Sequence, residues 1–334
     1  MFVVIEATGC PNACRHCGVD GRPPCGGFYS LDELREIAAE WGNIVYAHEP
    51  TAHLEFPEIF DPELCDYGDM LPTCGFGIAR KDDYVSLLKR TWDIGFRSFS
   101  FTFHGLQEHH DWFTGRRGSF NDILLATRRS KDAGLTPQWQ IFVDMKGLED
   151  VRPFSELALK ELGALPTISI PYHCVSSKRL WRYEELRPTL DDVRNHGIDK
   201  RVTDAKKSVL TEPDTLTAEA WLERWKQSTK AGEFFAPFEP ETWPPKRPFE
   251  WLQVDIRRDR SIYFNPIIAP PIRLGMLADG KEALFDRLGK IPQPSFVDVT
   301  PQDAKLTDEE RVRLHPKGYS LRALVISKMR QNTG

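Results

Sequence analysis

Three cysteines, Cys10, Cys14 and Cys17, stand within eight residues, with three and then two residues between them. Thiolates crowded onto one short segment repel one another until a soft cation or an iron–sulfur cluster compensates their charge, so the spacing reads as a metal centre. Two chemistries fit it. Three sulfurs on a four-iron cluster leave one iron open for reaction, whereas Cys25 as a fourth ligand would close a tetrahedral zinc site. Zinc ribbons usually carry two CxxC pairs in a small module, and here a single triplet opens a long chain, which favours the cluster. The seven cysteines are an odd number with three of them clustered. That usage argues against a secreted disulfide framework and for a reducing, cytoplasmic compartment.

Such a loop needs rigid supports, and the pattern of apolar residues supplies them. Phe2-Val3-Val4-Ile5 reads as a buried first strand whose C-terminal end delivers the cysteines. Ser30-Leu31-Asp32-Glu33 is a capping box, and Leu31, Leu34, Ile37, Ala38 and Trp41 share one face of a helix over about 31–41. A second strand, 43–47, runs into His48-Glu49-Pro50-Thr51. Residues 71–79 read as a third strand, and 82–92 as a helix with Tyr84, Leu87, Leu88 and Thr91 inward. The fourth strand, 98–104, alternates small polar residues with phenylalanine, so one parity should enter a barrel and the other pack under helices. Strand 137–144, a helix over about 148–162 and strand 166–171, running out at Tyr172-His173-Cys174, complete six strand–helix alternations. The expected class is α/β, a partial (β/α)6 TIM-type barrel. Ligands of such folds sit at the C-terminal strand ends, where the cluster loop, Glu49, Thr102, Asp144 and Cys174 all fall.

At 334 residues the chain exceeds one barrel, and the simplest partition adds a small C-terminal α+β module: barrel 1–175, helical extension and Pro-rich linker 176–245, module 246–334. Lys178, Arg179 and Arg182, just past the sixth strand, could meet an anionic substrate, but a solvated helix face is the favoured reading. In the module, 249–256 and 261–264 suggest a hairpin, followed by a turn around Leu274-Gly275 and a helix over 281–288. Net charge is −5, with no basic stripe for nucleic-acid phosphates. No apolar run approaches the roughly 18–20 residues of a membrane span, and Glu6 comes too soon for a signal peptide.

With an aromatic ring, His16, just before the last cysteine, the CxxxCxxC segment resembles the radical S-adenosylmethionine (SAM) superfamily. The resemblance implies one 4Fe-4S cluster on Cys10, Cys14 and Cys17, with S-adenosyl-L-methionine completing the fourth iron through its amino and carboxylate groups. Ala47-His48-Glu49-Pro50 looks like a variant of the family's Gly-Gly-Glu-Pro turn, so His48 and Glu49 become candidates to meet the methionyl ammonium. From Thr102 onward, Thr-Phe-His-Gly, His110-Asp111 and Gly118-Ser119-Phe120 are similar to the SPASM and twitch branch. Thr102 then takes the place of a serine that binds the cofactor carboxylate. The arginine expected downstream falls on Thr114, leaving Arg116 or Arg117 to supply the charge. His104 is assigned to the turn and His110 to capping or packing, with no second metal among His104, His109 and His110.

The C-terminal hairpin and its Leu-Gly turn are similar to the auxiliary-cluster domain of that branch, yet no cysteine lies beyond 174. A single cluster is therefore expected, and with it a redox-neutral outcome such as epimerisation, rearrangement or elimination. Cys174 is the positional candidate for a hydrogen-atom donor; its ordinary role would be a small buried apolar residue. A flavodoxin- or ferredoxin-type donor would reduce the cluster. With the first strand beginning at residue 2, a small polar metabolite (sugar, aminoglycoside, nucleoside or amino acid) is favoured over a ribosomal peptide, and a zinc or iron–sulfur protein without turnover is the third reading.

Overall fold

The computed structural model describes residues 2–15, 28–41, 44–46, 49–60, 69–169, 253–264 and 272–290, with isolated positions between 186 and 198. Through residue 169 strand and helix alternate as the sequence predicts. β1 (Phe2–Ile5) is followed by α1 (Leu31–Trp41) and β2 (Ile44–Tyr46). Then come β3 (Met70–Thr73), α2 (Phe76–Arg80), α3 (Tyr84–Asp93) and β4 (Ser98–Phe103). α4 (Gln107–Thr114), α5 (Ser119–Asp132), β5 (Thr136–Phe142), α6 (Val151–Leu162) and β6 (Thr167–Ser169) complete this part.

The capping box ahead of α1 forms in both directions. The Ser30 N–H donates to Glu33 Oε2 at 2.8 Å and the Glu33 N–H to Ser30 Oγ at 3.2 Å, satisfying two otherwise orphaned helix-start donors. Leu34, Ile37 and Trp41 are buried on its inner face. In α3 the buried residues are Leu87, Leu88 and Thr91. The expected strand over 71–79 is too long: β3 stops at Thr73, and 76–80 is helix. Gly75 turns the chain there at φ 72°, against Ala126 and Phe101, and the Gly75 N–H donates to Thr73 Oγ1 at 2.8 Å. Gly77 then passes so close to the Thr51 carbonyl that any side chain would collide with it.

The four strands β3-β4-β5-β6 pair in parallel in sequence order. β1 and β2 pair in parallel in a second sheet, and among the described residues β2 does not pair with β3, so no closed barrel forms. The C-terminal hairpin, β7 (Gln253–Ile256) and β8 (Ser261–Phe264), joins this second sheet through β7, which lies parallel to β1 in the register Val3↔Val254. Where a turn is expected around Leu274, a third strand β9 (Ile272–Met276) pairs antiparallel with β8, and α7 (Lys281–Gly289) follows it. Polar links tie this segment to α1: Tyr29 Oη donates to the Arg257 carbonyl at 2.5 Å, and Arg260 pairs with Glu33 at 2.7 Å.

The parity of the fourth strand works as predicted. Phe99, Phe101 and Phe103 are fully buried on the helix side, where the Phe103 ring meets Phe120, Trp139 and Phe154 at centroid distances of 5.4, 4.7 and 4.8 Å. Edge-on and tilted aromatic contacts of this kind add to the area that burial removes from water. Side chains of the opposite parity, Ser100 and Thr102 on β4 and Gln140 on β5, are only partly buried. The sheet therefore turns a hydrocarbon face to its helices and a mainly polar face, with Met70, Pro72 and Phe142 on it, away from them.

Candidate functional site

The cysteine loop leaves β1 and is held by the end of α4. The Ala13 N–H donates to the Thr114 carbonyl at 2.7 Å and the Arg15 N–H to the Phe113 carbonyl at 3.1 Å. Those carbonyls belong to the last turn of a helix, where intrahelical partners run out, so the loop satisfies them as a cap would. A side-chain bond adds to the pair: Arg116 Nε donates to Oδ1 of the buried Asn12 at 2.7 Å. Asp122 then holds Arg116 Nη1 at 2.5 Å and Arg80 at 2.8 Å, fixing the guanidinium from the α5 side. Arg116 Nη2 remains buried with no hydrogen-bond partner among the described residues.

Cys10 and Cys14 are half-buried on this loop; Cys17 and His16 lie outside the described residues. Cys74, to which the sequence pattern assigns no role, stands just past the C-terminal end of β3 with its thiol hydrogen-bonded to that of Cys10. This contact first, and burial second, push the Cys74 thiol well above its ordinary range, so it stays protonated. The signal for it was its place one residue past a strand end, on the side of the fold where the cysteine loop emerges.

Glu49 is the hub of the turn after β2. Its buried carboxylate accepts from the Thr51 N–H at 3.2 Å, the Thr51 hydroxyl, the Thr73 hydroxyl and the Cys74 N–H. Thr8, just ahead of Cys10, donates its hydroxyl to the Glu49 carbonyl at 2.9 Å. Glu49 thus ties three strand ends together, its side chain joining those of β2 and β3 and its carbonyl holding Thr8 after β1. Three of these bonds fall on Oε1 and one on Oε2, and the Cys74 thiol also hydrogen-bonds the carboxylate. His48 lies outside the described residues.

Thr102 and Gln140 face each other in register across β4 and β5, and Gln140 Nε2 donates to Thr102 Oγ1 at 2.6 Å. The Thr102 hydroxyl, accepting there, keeps its own proton to give. Thr114, where the resemblance expects an arginine, is buried and bonds the His110 carbonyl at 2.9 Å and the Ser119 hydroxyl at 2.6 Å. Asp144 is fully buried: Oδ1 accepts from the Lys146 and Gly147 N–H groups, and Oδ2 meets His109 Nε2 at 2.9 Å. It shapes the turn after β5 and orients His109. His110, expected to cap or pack, accepts the His104 N–H on Nδ1 at 3.2 Å, and burial pushes its pKa down to about 3. The imidazole is therefore neutral and carries its proton on Nε2. Cys174 lies outside the described residues, as do Lys178, Arg179, Arg182 and the stretch 199–252.

The donor set fits an iron–sulfur cluster: soft thiols, no carboxylate among the loop's ligands, and a backbone already fixed by α4. Among the described residues no three His, Cys, Asp or Glu side chains converge as a separate metal site. No helix among them is long and apolar enough to cross a membrane.

Comparison with solved structures finds native anSMEcpe with bound AdoMet at 15% identity, covering 95% of this chain and 88% of that one, with a TM-score of 0.43. A hexahistidine-tagged form with bound AdoMet gives 15% identity, 93% and 87% coverage and a TM-score of 0.45. The native protein with bound AdoMet and Cp18Cys peptide gives 13%, 93% and 87%, and 0.41. At TM-scores below 0.5 these likenesses bear on neither substrate nor reaction. No curated protein matches the chain. The model of the radical SAM superfamily matches residues 4–152, a span that begins in β1, carries the CxxxCxxC loop with its α4 support and ends in α6. This region of the chain belongs to the radical SAM superfamily.

Proposed function

We propose that the chain is a radical SAM enzyme that uses one 4Fe-4S cluster, held by Cys10, Cys14 and Cys17, to abstract hydrogen from a small polar metabolite with a redox-neutral outcome. The observation that carries the substrate class is the polar face of the β3–β6 sheet. Ser100, Thr102, Gln138, Gln140, Thr167 and Ser169 share that face by strand parity and register with Met70, Pro72 and Phe142, and none is buried. Parallel sheets normally bury both faces under apolar side chains, so a face on which uncharged hydrogen-bonding groups outnumber apolar ones asks for a ligand of the same kind. Hydroxyl- and amide-bearing molecules, recognised by hydrogen bonds and without ion pairs, suit it best.

When bound, the cluster and S-adenosylmethionine supply a 5'-deoxyadenosyl radical. The chain's own residues hold and orient. Arg116 Nη2, buried and unpartnered beside the cysteine loop, suits the cofactor carboxylate, and the Thr102 hydroxyl has a proton to donate to the same group. The buried Glu49 carboxylate beside the cysteine loop suits the ammonium by charge. Asp144, engaged with the turn 144–147 and with His109, contributes by shape. Redox neutrality is supported by the sequence, which holds no cysteine beyond 174 for a second cluster. Cys174 remains our candidate for the hydrogen-atom donor.

The test is anaerobic reconstitution with iron and sulfide. About four iron atoms per chain are expected rather than about eight, with 5'-deoxyadenosine released on reduction. Neutral polyhydroxylated and amino metabolites should raise its yield above the uncoupled level, and unstructured peptides should not. Zinc in the loop, or iron without cofactor cleavage, would end this reading.

A further inference from the structure

Beside the cysteine loop two positive charges share one aromatic ring. The Arg15 guanidinium lies 4.0 Å from the Trp112 ring centroid, and Lys146 Nζ lies 4.4 Å from the same centroid. Arg15 and Lys146 are both exposed, Trp112 is half-buried, and the neighbouring Met145 is 40% exposed. Among the described residues neither cation forms an ion pair with a carboxylate, although acidic residues outnumber basic ones in the chain by 49 to 44. The two cation–π contacts offset the repulsion that would otherwise part the charges. Arg15 directly follows Cys14, and its N–H is fixed to the Phe113 carbonyl. The patch therefore brings the protein surface to within one residue of a cluster ligand.

We infer that this Arg15–Trp112–Lys146 patch is where an acidic one-electron carrier protein docks to reduce the cluster; the inference rests on the cluster assignment above. One electron leaves the carrier and one enters the cluster, with no bond made or broken. Redox encounters of this kind use small, transient interfaces and depend on opposite charge to steer and orient the partners. A local positive patch on a net-negative chain supplies that sign of field where the cluster loop meets solvent, with Trp112 and Met145 as the apolar centre.

The experiment measures reduction of the reconstituted full chain by stopped-flow absorbance and by the electron paramagnetic resonance of the reduced cluster. The reductants are a reduced acidic flavodoxin and, in parallel, photoreduced deazaflavin, a small molecule that needs no docking surface. In Lys146→Glu, and more so in the double variant with Arg15→Glu, the second-order rate with flavodoxin should fall at least about tenfold and lose its salt dependence. The rate with deazaflavin and the iron content should stay at the wild-type level, and Arg15→Lys should retain most of the flavodoxin rate. Wild-type rates with flavodoxin in the double variant would overturn the inference, as would an equal loss with both reductants, which would place the defect in the cluster. Wild-type protein that takes up no reducible cluster would instead defeat the assignment of Cys10, Cys14 and Cys17, and the docking patch with it.

Discussion

On the side of the β3–β6 sheet that meets the helices, Phe99, Phe101 and Phe103 are wholly buried, and Phe103 touches three other large aromatic rings. On the opposite side, one residue away along the same strands, Ser100, Thr102 and Gln140 keep part of their surface open. Both sets hang on one backbone ladder, so neither can move without the other. The first contributes free energy of folding by leaving water, and the second holds hydrogen-bonding groups at fixed spacing at the cost of leaving them incompletely packed. The difference teaches that the rigidity of the site is borrowed from the phenylalanine face.

Four substitutions break or sharpen this contrast. The largest effect lies outside both faces, at the loop they support: Cys14→Ala should abolish iron retention after anaerobic reconstitution, seen by metal analysis, while the circular dichroism of the chain is kept. Phe103→Ala should lower the unfolding free energy by about 3–5 kcal/mol, read from denaturant titration, because a large aromatic cavity opens among Phe120, Trp139 and Phe154. Gln140→Leu should leave the unfolding midpoint nearly unchanged and raise the substrate KM by about tenfold to a hundredfold, the loss of one or two hydrogen bonds. Equal loss of stability at Phe103 and Gln140 would erase the distinction between the faces.

The smallest effect is a pH slope. His110 is held neutral by burial at a pKa of about 3, whereas the unfolded chain titrates it near 6.5. The unfolded state then binds the extra proton between these values, so the stability His110 allows is complete above pH 6.5 and is lost as pH falls toward 3. The slope in that window is at most about 1.4 kcal/mol per pH unit. Its disappearance in His110→Gln, followed by denaturant unfolding at several pH values, checks the assignment.

Much of this architecture is legible in the sequence because it rests on short-range rules. The capping box of Ser30 and Glu33 specifies the start of α1 from four consecutive residues, and the strict alternation of 98–103 announces β4 and both of its faces. The cysteine spacing marks the candidate metal loop in the same way, since ligand count and separation are local properties. Where local signals conflict, reading from the chain goes astray. The apolar run after Thr73 has strand-like composition, yet Gly75 and the close approach of Gly77 to Thr51, a contact between distant positions, turn it into α2.

What the tertiary structure alone decides is which distant groups meet. Nothing in the order of residues places the Cys74 thiol on Cys10, gathers Thr51, Thr73 and Cys74 around Glu49, or sets Lys146 and Arg15 on one tryptophan. Nor does it lay β7 along β1, some 250 positions apart. The types and spacings of the loop cysteines, the strand parity and the helix starts belong to the sequence, because each is settled within a few bonds. Partners across the fold are chosen by how whole elements pack, a sum over many contacts that no short stretch contains.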